Sequence, residues 1–358
     1  MICCENCFRD IEIKAIIKGI QNTGDCEICF STDVNIYNTN VNTELVDSFN
    51  ELIEVYTPVD SLPDIFPREK LVMLKDELFE KWNIFNINKE KIYIVIKNIC
   101  HEKYEETPEY FDSSIGILDL DNTDYLEANS LLKNYEWEDF VAEIKTNIRF
   151  HTNIINTEIL NEFCESAKCF YKKGKIFYRG RLSTRKGFSK DEMGPPPDEK
   201  ASDGRANPVG VSCLYLANDE KTTLHEIKAG LYDYVSIGTF ELLEDIELID
   251  FTIIDKVSPF LSNNLDFKQY IINKKHLSKI SHNIAKPLRR NDSPLDYLPT
   301  QYIVDFIKSK GHSGIKYSST MRKNGYNIAI FNKGLFECKE VRVHDVEMVN
   351  YESNPLGG

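Results

Sequence analysis

The stretch GRANPVGVSCLYLANDEKTTLHEI sets an arginine, a tyrosine and a glutamate, Arg205, Tyr215 and Glu226, ten and eleven residues apart among small and apolar residues. Together these three side-chain types can hold a polar organic molecule. A guanidinium gives paired, charge-assisted hydrogen bonds to an anion and keeps its proton. A tyrosine ring lies against a flat group and excludes water. A carboxylate stabilises positive charge developing on a reacting carbon. Each also has a plainer reading: Glu226 as a solvated helix side chain, Tyr215 in CLYLA as core, and Arg179, upstream in FYRGR, as a surface residue. A second constellation stands near residue 1. Cys4-Glu-Asn-Cys7 and Cys26-Glu-Ile-Cys29, with eighteen residues between the pairs and Cys3 as a spare, have the spacing of two knuckles closing a tetrahedral thiolate cage. Four sulfurs satisfy a structural zinc and leave no open position, so this site implies architecture or partner contact rather than catalysis.

The elements that must carry these groups fall into three stretches. Residues 1–35 are the zinc-binding segment. Across 36–165, apolar residues recur at three- and four-residue steps. They are Leu45, Phe49, Leu52, Ile53 and Tyr56 in TELVDSFNELIEVY, with Thr43 as a cap, then Leu71, Leu74, Leu78, Phe79 and Trp82 in REKLVMLKDELFEKW. WEDFVAEIKTNIRFH adds Trp137, Phe140, Val141, Ile144 and Ile148. That period predicts amphipathic helices whose aromatic stripes are core. KIYIVIKNI fits a strand or a buried helix. From residue 166 the texture turns to short β-type runs: KIFYRGRL, VSCLYLA, YVSIGTFEL, IELIDF, GIKYSST, NIAIF and EVRVHDVEMV. DFKQYIINKKHLSKI and LDYLPTQYIVDFIKSK read as helices among them, and MGPPPDEKASDGRANP reads as a long exposed loop. The fold class expected is α+β, an N-terminal zinc knuckle and α-helical bundle followed by a mixed α/β domain over 166–358.

Charge is uneven along the chain. Residues 36–165 carry 11 basic and 27 acidic groups, residues 166–358 carry 29 and 24, and the whole has a net charge of −14. The mild positive excess of the last part suits a small phosphate-bearing ligand and falls short of the basic stripe that nucleic acid needs. No apolar run approaches the roughly 20 residues a bilayer requires. The start, MICCENCFRD, has no signal-peptide pattern, and ten cysteines without a dense framework fit a reducing compartment. A cytoplasmic protein is expected, with neither membrane nor nucleic acid as partner.

FYRGR at 177–181, GRANP and LYLA within 204–217, Glu226 after TTLH, TQYIVDFIKSKGHSGIKYSS at 300–319 and NIAIF at 327–331 occur in this order. In that order they resemble the RES domain family, named for an Arg, a Glu and a Ser, over about residues 165–350. The resemblance implies a fold related to ADP-ribosyltransferases that binds NAD and breaks its nicotinamide–ribose bond by hydrolysis or phosphorolysis. The protein would then be a toxin that depletes NAD, in growth arrest or phage defence. Transfer of ADP-ribose to a macromolecule, or a zinc-containing interaction or sensor protein, are the alternatives. By the resemblance, Glu226, Arg179 and Ser319 would be catalytic, and Tyr178, Arg205, Tyr215 and Ser318 would bind NAD. Two adjacent serines leave open which faces the site. NAD would be a substrate, since no G-x-G-x-x-G follows a strand. His225, beside Glu226, is expected to be packing or surface.

Residues 36–165 resemble the HEPN-type domain that accompanies some RES domains. The ribonuclease spacing of that superfamily is missing, Arg149 standing too close to His151. An antitoxin is the partner the resemblance implies, and the cysteine knuckles with the acidic stretch are read as a module for a sensor partner acting through the N-terminal region. The C-terminal NPLGG is expected to be a flexible end.

Overall fold

The computed structural model describes residues 1–261, 266–287, 292–322 and 324–350, and NPLGG lies outside the described residues. Contacts divide the chain into two units, residues 1–134 with 256–275, and residues 135–255 with 276–358.

In the first unit, β1 (Ile2–Cys4), β2 (Thr23–Gly24) and β3 (Val34–Asn38) form a sheet in the order β1-β3-β2. A second sheet joins β4 (Thr57–Pro58), β5 (Val72–Met73) and β6 (Ser114–Gly116) in the order β4-β6-β5. Strands this short are below what a periodicity reading registers, so the expected helical bundle carries two small sheets beside it. The helices are α1 (Ile11–Gly19), α2 (Val46–Glu54), α3 (Leu74–Glu77), α4 (Lys89–Ile99), α5 (His101–Glu106), α6 (Glu109–Asp112) and α7 (Thr123–Asn129).

Local chemistry explains where they start. The Asp10 carboxylate caps α1 by accepting from the Glu12 and Ile13 amides at 2.9 and 3.0 Å. Thr43 does not cap α2 with its side chain; its carbonyl accepts from the Val46 amide at 3.0 Å. REKLVMLKDELFEKW is α-helical only from Leu74, and continues through a π-helical turn over Leu78–Trp82. KIYIVIKNI is the helix α4. The Asn88 side chain accepts from the Lys91 amide at 3.0 Å, and Ile92, Val95, Ile96 and Ile99 are buried at helical steps.

The second unit is built on one sheet. Its strands are β7 (Lys168–Tyr171), β8 (Ile176–Ser183), β9 (Leu214–Ala217), β10 (Tyr234–Leu242), β11 (Ile246–Asp250), β12 (Gly314–Ser318), β13 (Tyr326–Ile330) and β14 (Phe336–Asp345). Their order is β14-β10-β8-β9-β13-β12-β11-β7, and all neighbours are antiparallel except β11 and β12. The helices here are α8 (Trp137–Thr146), α9 (Thr157–Ser166), α10 (Glu220–Glu226), the part of α11 (Phe267–Ala285) from His276, and α12 (Leu298–Ser309). WEDFVAEIKTNIRFH, read from sequence as part of the N-terminal helical domain, gives α8 and belongs to this unit. Its Phe140 meets Tyr302 of α12 edge to face, ring centroids 5.7 Å apart.

Strand alternation sorts the side chains onto two faces. On one, Phe177, Leu214, Leu216, Phe240, Leu242, Ile328 and Ile330 build the core. The registers Tyr317↔Asn327, Asn327↔Ala217 and Ala217↔Tyr178, with Ala329↔Tyr215 beside them, line up the opposite face. β8 and β9 pair only at Tyr178↔Ala217, whereas β8 pairs with β10 over eight positions. The sheet is therefore parted beside that single bridge, and the parting is where the chemistry-bearing residues collect.

Candidate active site

α10 brings the carboxylate. Its N-cap Asp219 accepts from the Thr222 amide at 3.0 Å and pairs with Arg322. Gly180 lets the helix pack close on β8, because a Cβ there would lie 3.1 Å from Thr223 Oγ1 and 3.3 Å from Ile227 Cδ1. Glu226 is the last residue of α10. Two donors fix its carboxylate: Ser319 Oγ at 2.7 Å and Asn327 Nδ2 at 2.9 Å, both on Oε1. Oε2 receives no hydrogen bond among the described residues. A carboxylate so held keeps one oxygen for a ligand without having to reorient.

The loop read from sequence as exposed is exposed over residues 196–200, and its later part is folded into the site. Ala201, Arg205, Ala206 and Asn207 are buried. Gln301 Nε2 donates to the carbonyls of Gly204 and Asn207 at 2.9 and 3.0 Å, and Asn207 Nδ2 donates to those of Ser202 and Val211 at 2.8 and 2.9 Å. The Tyr215 hydroxyl completes the tie, donating to Asn207 Oδ1 at 2.6 Å and accepting from the Ala206 amide at 3.1 Å. Gly204 is needed at this close approach, since a Cβ would come within 2.7 Å of that hydroxyl. The hydroxyl is thus engaged with the loop, and the ring is what Tyr215 offers the cleft.

The two arginines differ. Arg205 Nη1 donates to the carbonyls of Ile284 and Ala285 at the end of α11, at 3.0 and 2.7 Å, and the guanidinium lies 4.9 Å from the Tyr317 ring centroid. One arm is committed to holding a helix end, so only the rest of the fork is available to a ligand. Arg179 has the parity of Phe177 on β8 and reaches the cleft where β8 and β9 part. Its Nη1 donates to the Tyr215 carbonyl at 3.3 Å, and its buried Nε has no hydrogen-bond partner among the described residues. Burial, with Arg181 nearby, pushes the Arg179 guanidinium down to about 10. It stays charged at neutral pH, poorly solvated and with a donor unspent, which is the state an incoming anion relieves.

The cleft has a volume of about 280 Å³ and is lined by Tyr178, Arg179, Arg205, Tyr215 and Glu226, all five named from sequence. It also has Thr223, Tyr297, Tyr317 and Asn327 in its wall, which sequence reasoning missed. A polar Asn opening the apolar run NIAIF was the available signal for Asn327, which is 4% exposed. Of the two serines, Ser319 is buried and bonded to Glu226, while Ser318 is exposed. His225 is exposed, and burial raises the hydroxyl pKa of both Tyr215 and Tyr317, keeping them neutral donors.

In the first unit, Cys4, Cys7, Cys26 and Cys29 bring their sulfurs within 4.8 Å of one another. The distances are 3.4 Å for Cys4–Cys29, 3.5 Å for Cys7–Cys26 and 4.0 Å for Cys4–Cys7. A tetrahedron of Zn–S bonds of about 2.3 Å has S–S edges near 3.8 Å, so the four sulfurs fit that ion. Amides of Ile28 and Cys29 donate to Cys26 Sγ at 3.4 and 3.3 Å, stabilising charge on a thiolate. The spare Cys3 is buried and stands outside the group.

No curated protein matches the sequence. A solved structure titled as the M. tuberculosis MbcT–MbcA toxin–antitoxin complex is similar to 53% of this chain, over 92% of the matched chain, at 11% identity and a TM-score of 0.31. No helix among the described residues is long and apolar enough to cross a membrane. Residues 178–351 match the family model of the RES domain. That span holds every lining residue of the cleft together with Ser319, and over it the chain carries a RES domain.

Proposed function

We propose that this RES domain binds NAD and cleaves its nicotinamide–ribose bond, acting as a toxin that drains the cellular pool. The observation that carries the reading is the Glu226 carboxylate, fixed through one oxygen by Ser319 and Asn327 in the same cleft as the under-partnered Arg179. Nicotinamide leaves with the bonding electron pair, so positive charge grows on the ribose C1′ and its ring oxygen. Glu226 Oε2 would accept from ribose hydroxyls and stabilise that charge more in the transition state than in the ground state. Arg179 and the free arm of Arg205 would hold the pyrophosphate, and the rings of Tyr178 and Tyr215 would shield the nicotinamide from water. A cleft of about 280 Å³ suits the nicotinamide riboside half, with the adenosine half outside it.

Transfer of ADP-ribose to a macromolecule uses the same groups and differs only in what reaches C1′. For the cysteine cage we propose a structural zinc, closed by four thiolates and remote in role from the reaction. An antitoxin or sensor partner acting through the N-terminal region belongs to the same reading. The test is expression of the wild type beside Glu226→Gln with cellular NAD followed over time. NAD is expected to fall only with the wild type, and equal loss in both strains would remove the carboxylate from the mechanism.

A further inference from the structure

The outer edge of the sheet carries a pattern that neither the cleft nor the cage uses. β14 ends the strand order, bonded to β10 on one side, and among the described residues no strand pairs with its other side. Its sequence from Phe336 to Val343 is FECKEVRV. Read against its own reversal it is antisymmetric: Glu337 falls opposite Arg342 and Lys339 opposite Glu340, while Phe336 meets Val343 and Cys338 meets Val341. Each acid meets a base and each apolar residue an apolar one.

Such a register, centred between Lys339 and Glu340, is closed to a regular strand. Pairing about a two-fold axis that falls between two residues would set side chains of opposite faces against each other, because alternation has a period of two. β14 is not regular. Cys338 pairs with Phe240 and Glu340 with Thr239, leaving Lys339 as an extra residue outside the backbone register, though its Nζ lies 3.5 Å from Glu241 on β10. The bulge shifts the alternation by one at the centre of the pattern. Phe336, Cys338, Val341 and Val343 therefore share one face, and Glu337, Glu340 and Arg342 share the other. With that shift, the pairs Phe336–Val343, Glu337–Arg342 and Cys338–Val341 each join residues of the same face.

We propose that β14 is a self-association edge that pairs antiparallel with β14 of a second copy of this chain, Glu337 opposite Arg342 and Lys339 opposite Glu340. Charges and a bulge also serve to keep an edge unpaired. An edge built only to repel would set like charges opposite one another under the two-fold, and this one sets opposite charges. The charged side chains are exposed and already in exchangeable ion pairs, Lys339 with Glu337 at 2.5 Å and Glu241 at 3.5 Å, and Arg342 with Glu340 at 3.3 Å and Glu220 at 3.9 Å. Surface pairs of this kind contribute little, so trading them for pairs across the interface costs little. Val343, 41% exposed, would be covered.

The test uses the full-length protein and two charge reversals, Glu337→Arg and Arg342→Glu, neither of them in the cleft. Sedimentation velocity across a dilution series reads the mass. The wild type is expected to pass from monomer to dimer as concentration rises. Each single variant sets like charges opposite each other at both ends and is expected to stay monomeric. In an equimolar mixture, the variant with two basic groups at positions 337 and 342 meets the variant with two acidic ones. Opposite charges then face each other at both ends again, and the mixture is expected to dimerise at least as well as the wild type. Unchanged circular dichroism excludes misfolding as the cause of monomeric behaviour. A wild type that stays monomeric throughout, single variants that still dimerise, or a mixture that fails to recover the dimer each overturns the proposal. None of these outcomes bears on NAD cleavage.

Discussion

The cysteine cage and the cleft treat polar atoms in opposite ways. In the cage four like groups from residues 4–29 converge until each sulfur has another within hydrogen-bonding range, and three of the four cysteines are buried. The cleft gathers its groups from residues 178 to 327 and leaves donors and acceptors unspent, Arg179 Nε and Glu226 Oε2 among them. A closed set of ligands makes structure. An incompletely satisfied set, held rigid by satisfied neighbours, makes a site that gains free energy when something binds.

The largest effect expected follows from breaking the closed region. Replacing Cys4 and Cys26 together by Ser, or extracting metal with a chelator, removes a contribution on the order of 10 kcal/mol to the folding of the N-terminal segment. Metal analysis of the intact protein should give one zinc per chain, and the variant should lose both the zinc and the protease resistance of its first 38 residues. NAD cleavage should survive, because the cage supplies no group to the reaction. Loss of cleavage in a protein whose second unit stays folded would show that the two regions are not separable in this way.

The open region gives the next effects. Asn327→Ala removes one of the two donors on Glu226 Oε1 and should lower kcat by about 10–100-fold with KM little changed, as expected for a group that fixes the carboxylate. Arg179 tests the unspent donor through stability. Its guanidinium is held at about 10 in the fold, below its ordinary value, so below pH 10 the charge is present in both states and is worse solvated in the folded one. That penalty is in force at neutral pH and is relieved only as pH rises above about 10 toward the ordinary arginine value. Arg179→Met should therefore stabilise the ligand-free protein by about 1–3 kcal/mol, read as a rise in Tm, while NAD no longer raises Tm further. A drop in Tm would mean that Arg179 is a structural residue. The smallest effect separates the serines: Ser319→Ala should cost about tenfold in kcat, and Ser318→Ala nothing measurable.

The difference between the regions also explains what the sequence disclosed. The cage was legible because its ligands are close in sequence and their spacing is itself the geometry. Tyr178, Arg179, Arg205, Tyr215 and Glu226 were legible through an ordered set of motifs, and the choice between Ser318 and Ser319 had to wait for the exposure of one and the burial of the other. Asn327 and Tyr317 enter through strand register, which sets Tyr317 beside Asn327 and Asn327 beside Ala217, and no local pattern states a register. The loop 193–208 looked exposed because its composition is that of a loop. Its order comes from Gln301, more than ninety residues away, and from the hydroxyl of Tyr215. KIYIVIKNI is undecided by composition, and the Asn88 cap with the three- and four-residue burial steps settles it as helix.

The most direct test of the central claim is the release of nicotinamide from NAD by the purified full-length protein, beside Glu226→Gln, in buffer with no macromolecular acceptor and with or without inorganic phosphate. Steady release by the wild type, reduced at least about 100-fold in the variant, is the result this account expects. Equal release by both proteins, or none from a folded wild type under either condition, would contradict it.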